Sequence, residues 1–123
     1  MSRRLLLACL LAACVLAGGA VPVTQSASVN SAVQASGTEY RIGLSRSSIR
    51  SGRVRLEFVN YGEDEHDLAF RRIGSKRQSN VGLTAPGGRR VGRYRVRPGT
   101  YLLWCTLSDH RARGMRAKLR VRR

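Results

Sequence analysis

The chain has 123 residues, room for one domain and not two. Lys and Arg outnumber Asp and Glu by 23 to 7, a formal net charge of +16. Taken alone, that excess would suggest nucleic acid or an anionic surface as a partner.

The first segment, Met1-Ser2-Arg3-Arg4 followed by Leu5-Leu6-Leu7-Ala8-Cys9-Leu10-Leu11-Ala12-Ala13-Cys14-Val15-Leu16-Ala17, has a positive start, an apolar middle and small residues at Gly18-Gly19-Ala20. The apolar run is short for a membrane span, so residues 1–20 read as an export signal. Two processing routes are open: cleavage after Ala20, or acylation of Cys14 in the lipoprotein-like run Leu11-Ala12-Ala13-Cys14. Export to the periplasm, the extracellular space or the cell envelope follows in either case, with a lipid on Cys14 as the route to membrane association. Both routes leave Cys105 without a disulfide partner in the mature domain, and an unpaired exported thiol calls for a role.

Residues 21–37 are rich in Ser, Ala, Val and Gln without evident periodicity and read as a flexible linker, so the expected domain spans residues 38–123. Within it, strand-like stretches fall at Glu39–Ser45, Arg53–Asn60, His66–Arg72, Val91–Val96, Thr100–Cys105 and Met115–Val121. Turn signals at Ser51-Gly52, Tyr61-Gly62, Pro86-Gly87-Gly88 and Pro98-Gly99 separate them. No stretch of helical length carries a 3.6-residue period, which predicts an all-β, antiparallel sandwich. Its expected interior is Ile42, Leu44, Val54, Leu56, Phe58, Leu68, Phe70, Val91, Tyr94, Val96, Tyr101, Leu103, Leu119 and Val121.

Arg53-Val54-Arg55-Leu56-Glu57-Phe58, Tyr94-Arg95-Val96-Arg97 and Lys118-Leu119-Arg120-Val121-Arg122 alternate charged with apolar residues. A period of two places those arginines on the solvent side of half-buried strands. On this reading the basic faces serve solubility and no nucleic-acid partner is expected.

Cys105, His110 and Met115 stand at C-x4-H-x4-M spacing, and the one other histidine is His66. Thiolate, imidazole and thioether select copper over harder metals, and two His, one Cys and one Met are the ligand set of a blue-copper electron-transfer centre. Singly, His66 reads as a solvated residue in an acidic turn, Met115 as core and Cys105 as an inert buried thiol. Zinc fits less well, because Met is a poor zinc ligand and no paired-cysteine spacing is present. Nucleophilic catalysis by Cys105 would need an oxyanion hole and a substrate pocket. Neither is announced, and the chain reads as a non-enzyme.

Pro98-Gly99-Thr100-Tyr101-Leu102-Leu103-Trp104-Cys105, with the His and Met beyond it, resembles the C-terminal copper loop of the cupredoxins, in particular the plastocyanin- and azurin-like domains. Asn60-x-Gly62-x3-His66-Asp67-Leu68 is similar to the turn that carries that family's first histidine, and Val81–Gly88 is similar to the linker before the strand leading to the Cys loop. The resemblance implies a cupredoxin-like Greek-key β-sandwich of seven to eight strands. It implies one type 1 copper, cycling between Cu(I) and Cu(II), with His66, Cys105 and His110 equatorial and Met115 axial. Asp67 would bond near Thr106 and tie the two copper loops together, with Asn60 also among the residues around the ligands, and the edge of His110, framed by Leu107 and Ala112, would pass the electron. A monomer serving redox partner proteins is expected, with a copper-buffering protein as the alternative. Two departures from the family pattern are Ser108-Asp109, where Pro-Gly is common, and Ala117, where Gly is frequent.

The acids are uneven. Glu63, Asp64, Glu65 and Asp67 surround His66, Asp109 precedes His110, and Glu39 and Glu57 lie elsewhere in the sequence. They either give the copper end a docking dipole or offset nearby Arg111, Arg113 and Arg116; both readings stand.

Overall fold

The computed structural model describes residues 29 and 31–123. The export-signal reading and the linker up to residue 28 lie outside the described residues. Nine strands follow in order: β1 Ser31–Thr38, β2 Arg41–Leu44, β3 Ser48–Arg50, β4 Gly52–Asn60, β5 Ala69–Arg72, β6 Gln78–Asn80, β7 Arg89–Val96, β8 Gly99–Trp104 and β9 Arg116–Arg122. They form a four-stranded sheet, β2-β1-β4-β7, and a five-stranded sheet, β3-β9-β8-β5-β6. No helix occurs among the described residues.

The alternation read from the sequence sets the faces. On β4, Val54, Leu56 and Phe58 are buried toward the other sheet, and on β9 Leu119 and Val121 are buried between exposed Arg116, Lys118, Arg120 and Arg122. Phe58, Leu68 and Leu103 are among the largest fully buried side chains, each contributing about 2–3 kcal/mol by leaving water.

The structure corrects the expected organisation at four points. Residues 31–37 are not linker: they pair with β4 from Ser31↔Val54 to Gly37↔Asn60, so the sandwich has begun by Ser31. The inward residues of β1 are Val33, Ala35 and Gly37, and their small side chains hid the alternation. The sheets are mixed, not antiparallel, because β1–β4 and β3–β9 run parallel. The expected strand His66–Arg72 is shortened to β5, with His66 forming an isolated bridge to Thr84. Val91, assigned to the core, is 44% exposed. It shares the parity of Arg89, Arg93 and Arg95, whereas Gly92, Tyr94 and Val96 point inward.

Strand direction decides where the loops meet. Because β1 runs parallel to β4, both end at the same rim of the sandwich. β8 ends there and β9 begins there, so the turn after β1, the turn after β4 and the loop from Cys105 to Met115 converge.

Candidate metal centre

The loop between β8 and β9 is closed by its own backbone. The Cys105 N–H donates to the Met115 carbonyl at 3.2 Å, and the Met115 N–H donates to the His110 carbonyl at 2.9 Å. Three of the expected ligands are thereby held in one turn. Ser108 adopts φ 42, which a proline ring cannot reach, so the Ser108-Asp109 departure belongs to the conformation this loop takes.

His66 arrives on the other turn. Buried Asn60 holds it: its Nδ2 donates to the carbonyls of Asp64 at 2.7 Å and Thr84 at 2.9 Å, while its Oδ1 accepts from the Gly62 N–H at 2.9 Å. The His66 backbone bridges to Thr84 in both directions. Asp67 then links the two turns. It accepts from the Thr106 N–H at 2.6 Å, the Thr106 hydroxyl at 2.5 Å and Asn80 Nδ2 at 2.6 Å. The expected Asp67–Thr106 contact is present, and Asn80 is an addition.

The three side chains meet in the interior. Nδ1 of His66 lies 3.2 Å from Nδ1 of His110, and Cys105 Sγ lies 3.5 Å from His110 Nδ1 and 4.0 Å from His66 Nδ1. His66 and Cys105 are fully buried and His110 is 9% exposed. Met115 is fully buried beneath the same loop. Burial, first of several causes, pushes the Cys105 thiol above its ordinary value of 9.0, outweighing the backbone N–H groups of Asp67 and Leu107, which favour the thiolate.

One acid was misplaced by sequence reasoning. Glu39, set apart from the histidine in the sequence, reaches it from the turn after β1. Its Oε1 accepts from the N–H groups of Glu63 at 2.6 Å and Asp64 at 3.0 Å, and lies 3.2 Å from His66 Nε2. Those donors, the Asp64 N–H foremost, hold its carboxyl down at about 2. The carboxylate assigns the His66 proton to Nε2 and leaves Nδ1 as a lone pair facing the cluster. Gly62 keeps this contact open, since a Cβ there would lie 2.9 Å from both the Glu39 carboxyl carbon and His66 Nε2. Recognising β1 as a strand parallel to β4 would have brought Glu39 here.

Tyr40 also comes from that turn. Its ring meets His110 edge-on with centroids 5.1 Å apart, and Arg113 lies 3.5 Å over the Tyr40 ring while donating to its hydroxyl at 2.6 Å.

This donor set suits a soft cation. Two imidazole nitrogens face each other at hydrogen-bond distance beside a buried thiol, and no carboxylate belongs to the cluster. With the His66 proton held at Nε2, its Nδ1 lone pair faces the His110 nitrogen and the Cys105 sulfur, a donor set that a copper ion would satisfy.

No protein-family model matches the chain, and no curated protein matches it. Solved structures do. A dithionite-reduced auracyanin from Roseiflexus castenholzii superposes with a TM-score of 0.63 at 16% identity, over 79% of this chain and all of that one. Rusticyanin from Thiobacillus ferrooxidans gives 0.63 at 18%, over 77% and 79% of the two chains. A copper-containing nitrite reductase from Thermus scotoductus gives 0.58 at 15%, over 77% of this chain and 31% of the enzyme. The fold is that of the cupredoxins.

Proposed function

We propose that the chain carries single electrons between redox proteins through one type 1 copper held by His66, Cys105, His110 and Met115. The observation that carries this reading is the buried convergence of His66 Nδ1, His110 Nδ1 and Cys105 Sγ at 3.2–4.0 Å. The cupredoxin fold and the copper in the name of one structural neighbour support it. Copper would supply the reversible one-electron couple, and the Cys105 thiolate, the His66 and His110 imidazoles and the Met115 thioether would suit both of its oxidation states.

The residues of the chain do the rest. Glu39 and the Thr84 bridge fix the His66 ring, while the Asp67–Thr106 bonds fix the two ligand turns against each other. A ligand cage held this firmly changes little between oxidation states. Burial excludes water and competing ligands from all but the His110 edge. We assign electron passage to that edge, between Leu107 and Ala112 and beside Tyr40. Export, by either processing route, would place the carrier in the cell envelope as a monomer serving protein partners. Carriage rather than catalysis is our reading, since the proposed site spends all four ligands on the metal.

Substitution tests the assignment. Cys105→Ser is expected to abolish the intense blue absorption, and Met115→Gln to keep copper while shifting the reduction potential. Retained blue colour in Cys105→Ser would overturn the site. Electron self-exchange measured by nuclear magnetic resonance separates carriage from copper buffering: rapid exchange supports a carrier, and sluggish exchange with a readily transferred ion supports a buffer.

A further inference from the structure

We propose that the outer face of the five-stranded sheet binds the anionic headgroups of a phospholipid bilayer. The five strands β3, β5, β6, β8 and β9 contain no Asp or Glu. On β9 the outward residues are Arg116, Lys118, Arg120 and Arg122, every one a cation. Register sets Arg50 beside Arg122 on one flank, and across β8 the outward Leu102 pairs with Lys118 on one side and Arg71 on the other. Successive outward residues on a strand are about 6.8 Å apart and neighbouring strands about 4.8 Å. Like charges at these separations repel and cost stability. Alternation accounts for cations pointing outward, but solubility does not account for the absence of any acid among them.

The opposite sheet is built differently. There Glu57 sits on the outer side of β4 and takes Arg55 at 2.7 Å and Arg89 at 3.8 Å. Its cations are partly neutralised within the sheet. The five-stranded face has no internal counter-ion of this kind and is complementary to an external one.

The shape selects the counter-ion. The cations spread in two dimensions over three strands, an array that matches a plane of phosphates better than a single line of them. Trp104 is the aromatic of this face, and it is only 6% exposed. Arg111 lies 4.6 Å over its ring and Arg71 5.9 Å from it. With that ring covered, the face offers no aromatic stacking platform for nucleic-acid bases. What remains is electrostatic adsorption at headgroup level, the behaviour of clusters of four to eight surface cations.

The test is co-sedimentation of the full chain with phosphatidylcholine vesicles, with and without phosphatidylglycerol, at low and high salt. Neutral vesicles report any pull from residues 1–28, and the difference between the two vesicle types reports the face. Reversing Lys118→Glu with Arg120→Glu is compared with reversing Arg93→Glu and Arg95→Glu on the other sheet, which changes the net charge equally. Binding to the anionic vesicles that salt abolishes is expected, weakened about 30-fold or more by the first pair and far less by the second. Equal binding to neutral and anionic vesicles, or equal loss from both pairs, would overturn the proposal. So would vesicle binding that is absent while a soluble sulfated polysaccharide binds. Far-UV circular dichroism of each variant establishes that the sandwich is intact, and none of the outcomes depends on copper.

Discussion

Glu39 and His66, 27 residues apart in the chain, meet at 3.2 Å between Oε1 and Nε2. The contact lies on the side of the imidazole away from the thiol and depends on β1 running parallel to β4. The two strands deliver the Glu39 turn and the His66 turn to one rim. The carboxylate is itself pinned by the N–H groups of Glu63 and Asp64, so it holds the ring rather than following it.

Removing that carboxylate is expected to weaken copper binding. Partners that orient a ligand histidine contribute about 10–100-fold in metal affinity. Glu39→Ala should show a loss of that size in a competition titration against a copper chelator. Unchanged affinity would mean that the bridge to Thr84 alone orients His66.

Acid should unfold the metal-free protein through the same groups. The Glu39 carboxyl titrates at about 2 in the folded chain against an ordinary 4.5. Asp67 also lies below its ordinary 3.8: burial raises it, but the bonds from the Thr106 hydroxyl and N–H and from Asn80 outweigh burial. Both folded values are depressed, so the unfolded chain takes up protons first as the pH falls. Their stabilisation is therefore present above pH 4.5 and is lost on descending toward pH 2. Urea midpoints measured across that window should fall steadily, and the fall should be shallower in Glu39→Gln.

Asp67→Ala leaves the Thr106 N–H without its acceptor and unties the two ligand turns. A loss of about 1–3 kcal/mol is expected in urea unfolding. Thr106→Val, which keeps the N–H donor and removes the hydroxyl, should cost less. Equal costs would place the whole effect in the hydroxyl bond.

Much of this was legible in the sequence. The alternating arginines gave the faces of β4 and β9 because Val54, Leu56 and Phe58 on one strand and Leu119 and Val121 on the other stand at alternate positions among charged residues. The spacing of Cys105, His110 and Met115 predicted that one loop carries them, since a turn closed by local hydrogen bonds is encoded locally. β1 was illegible for the opposite reason: Val33, Ala35 and Gly37 carry little apolar bulk, and the strand exists because β4 offers it a full register of bonds. Missing β1 meant missing Glu39 and Tyr40, which no local pattern could place beside His66 and His110. Val91 failed on parity alone, one residue out of step with Tyr94 and Val96.

The small residue at the end of β1 also bears on the site. A Cβ on Gly37 would lie 2.7 Å from Phe58 Cζ and 3.1 Å from Met115 Cε. Gly37→Val must therefore displace Phe58, Met115 or the strand, at about 1–3 kcal/mol. The expected signature is lowered stability together with a shifted reduction potential, as Met115 moves. Lowered stability with an unchanged potential would show that Phe58 alone gives way.

Whether His66, Cys105, His110 and Met115 form one type 1 copper site is tested most directly by titrating the purified, reduced protein with copper. Visible absorption is recorded throughout and, after oxidation, electron paramagnetic resonance. An intense blue thiolate-to-copper band that saturates at one copper per chain, with narrow copper hyperfine splitting, is the expected result. Copper that binds without the blue band, or with the wide splitting of a tetragonal site, would contradict the assignment, because Cys105 would then not be an equatorial ligand.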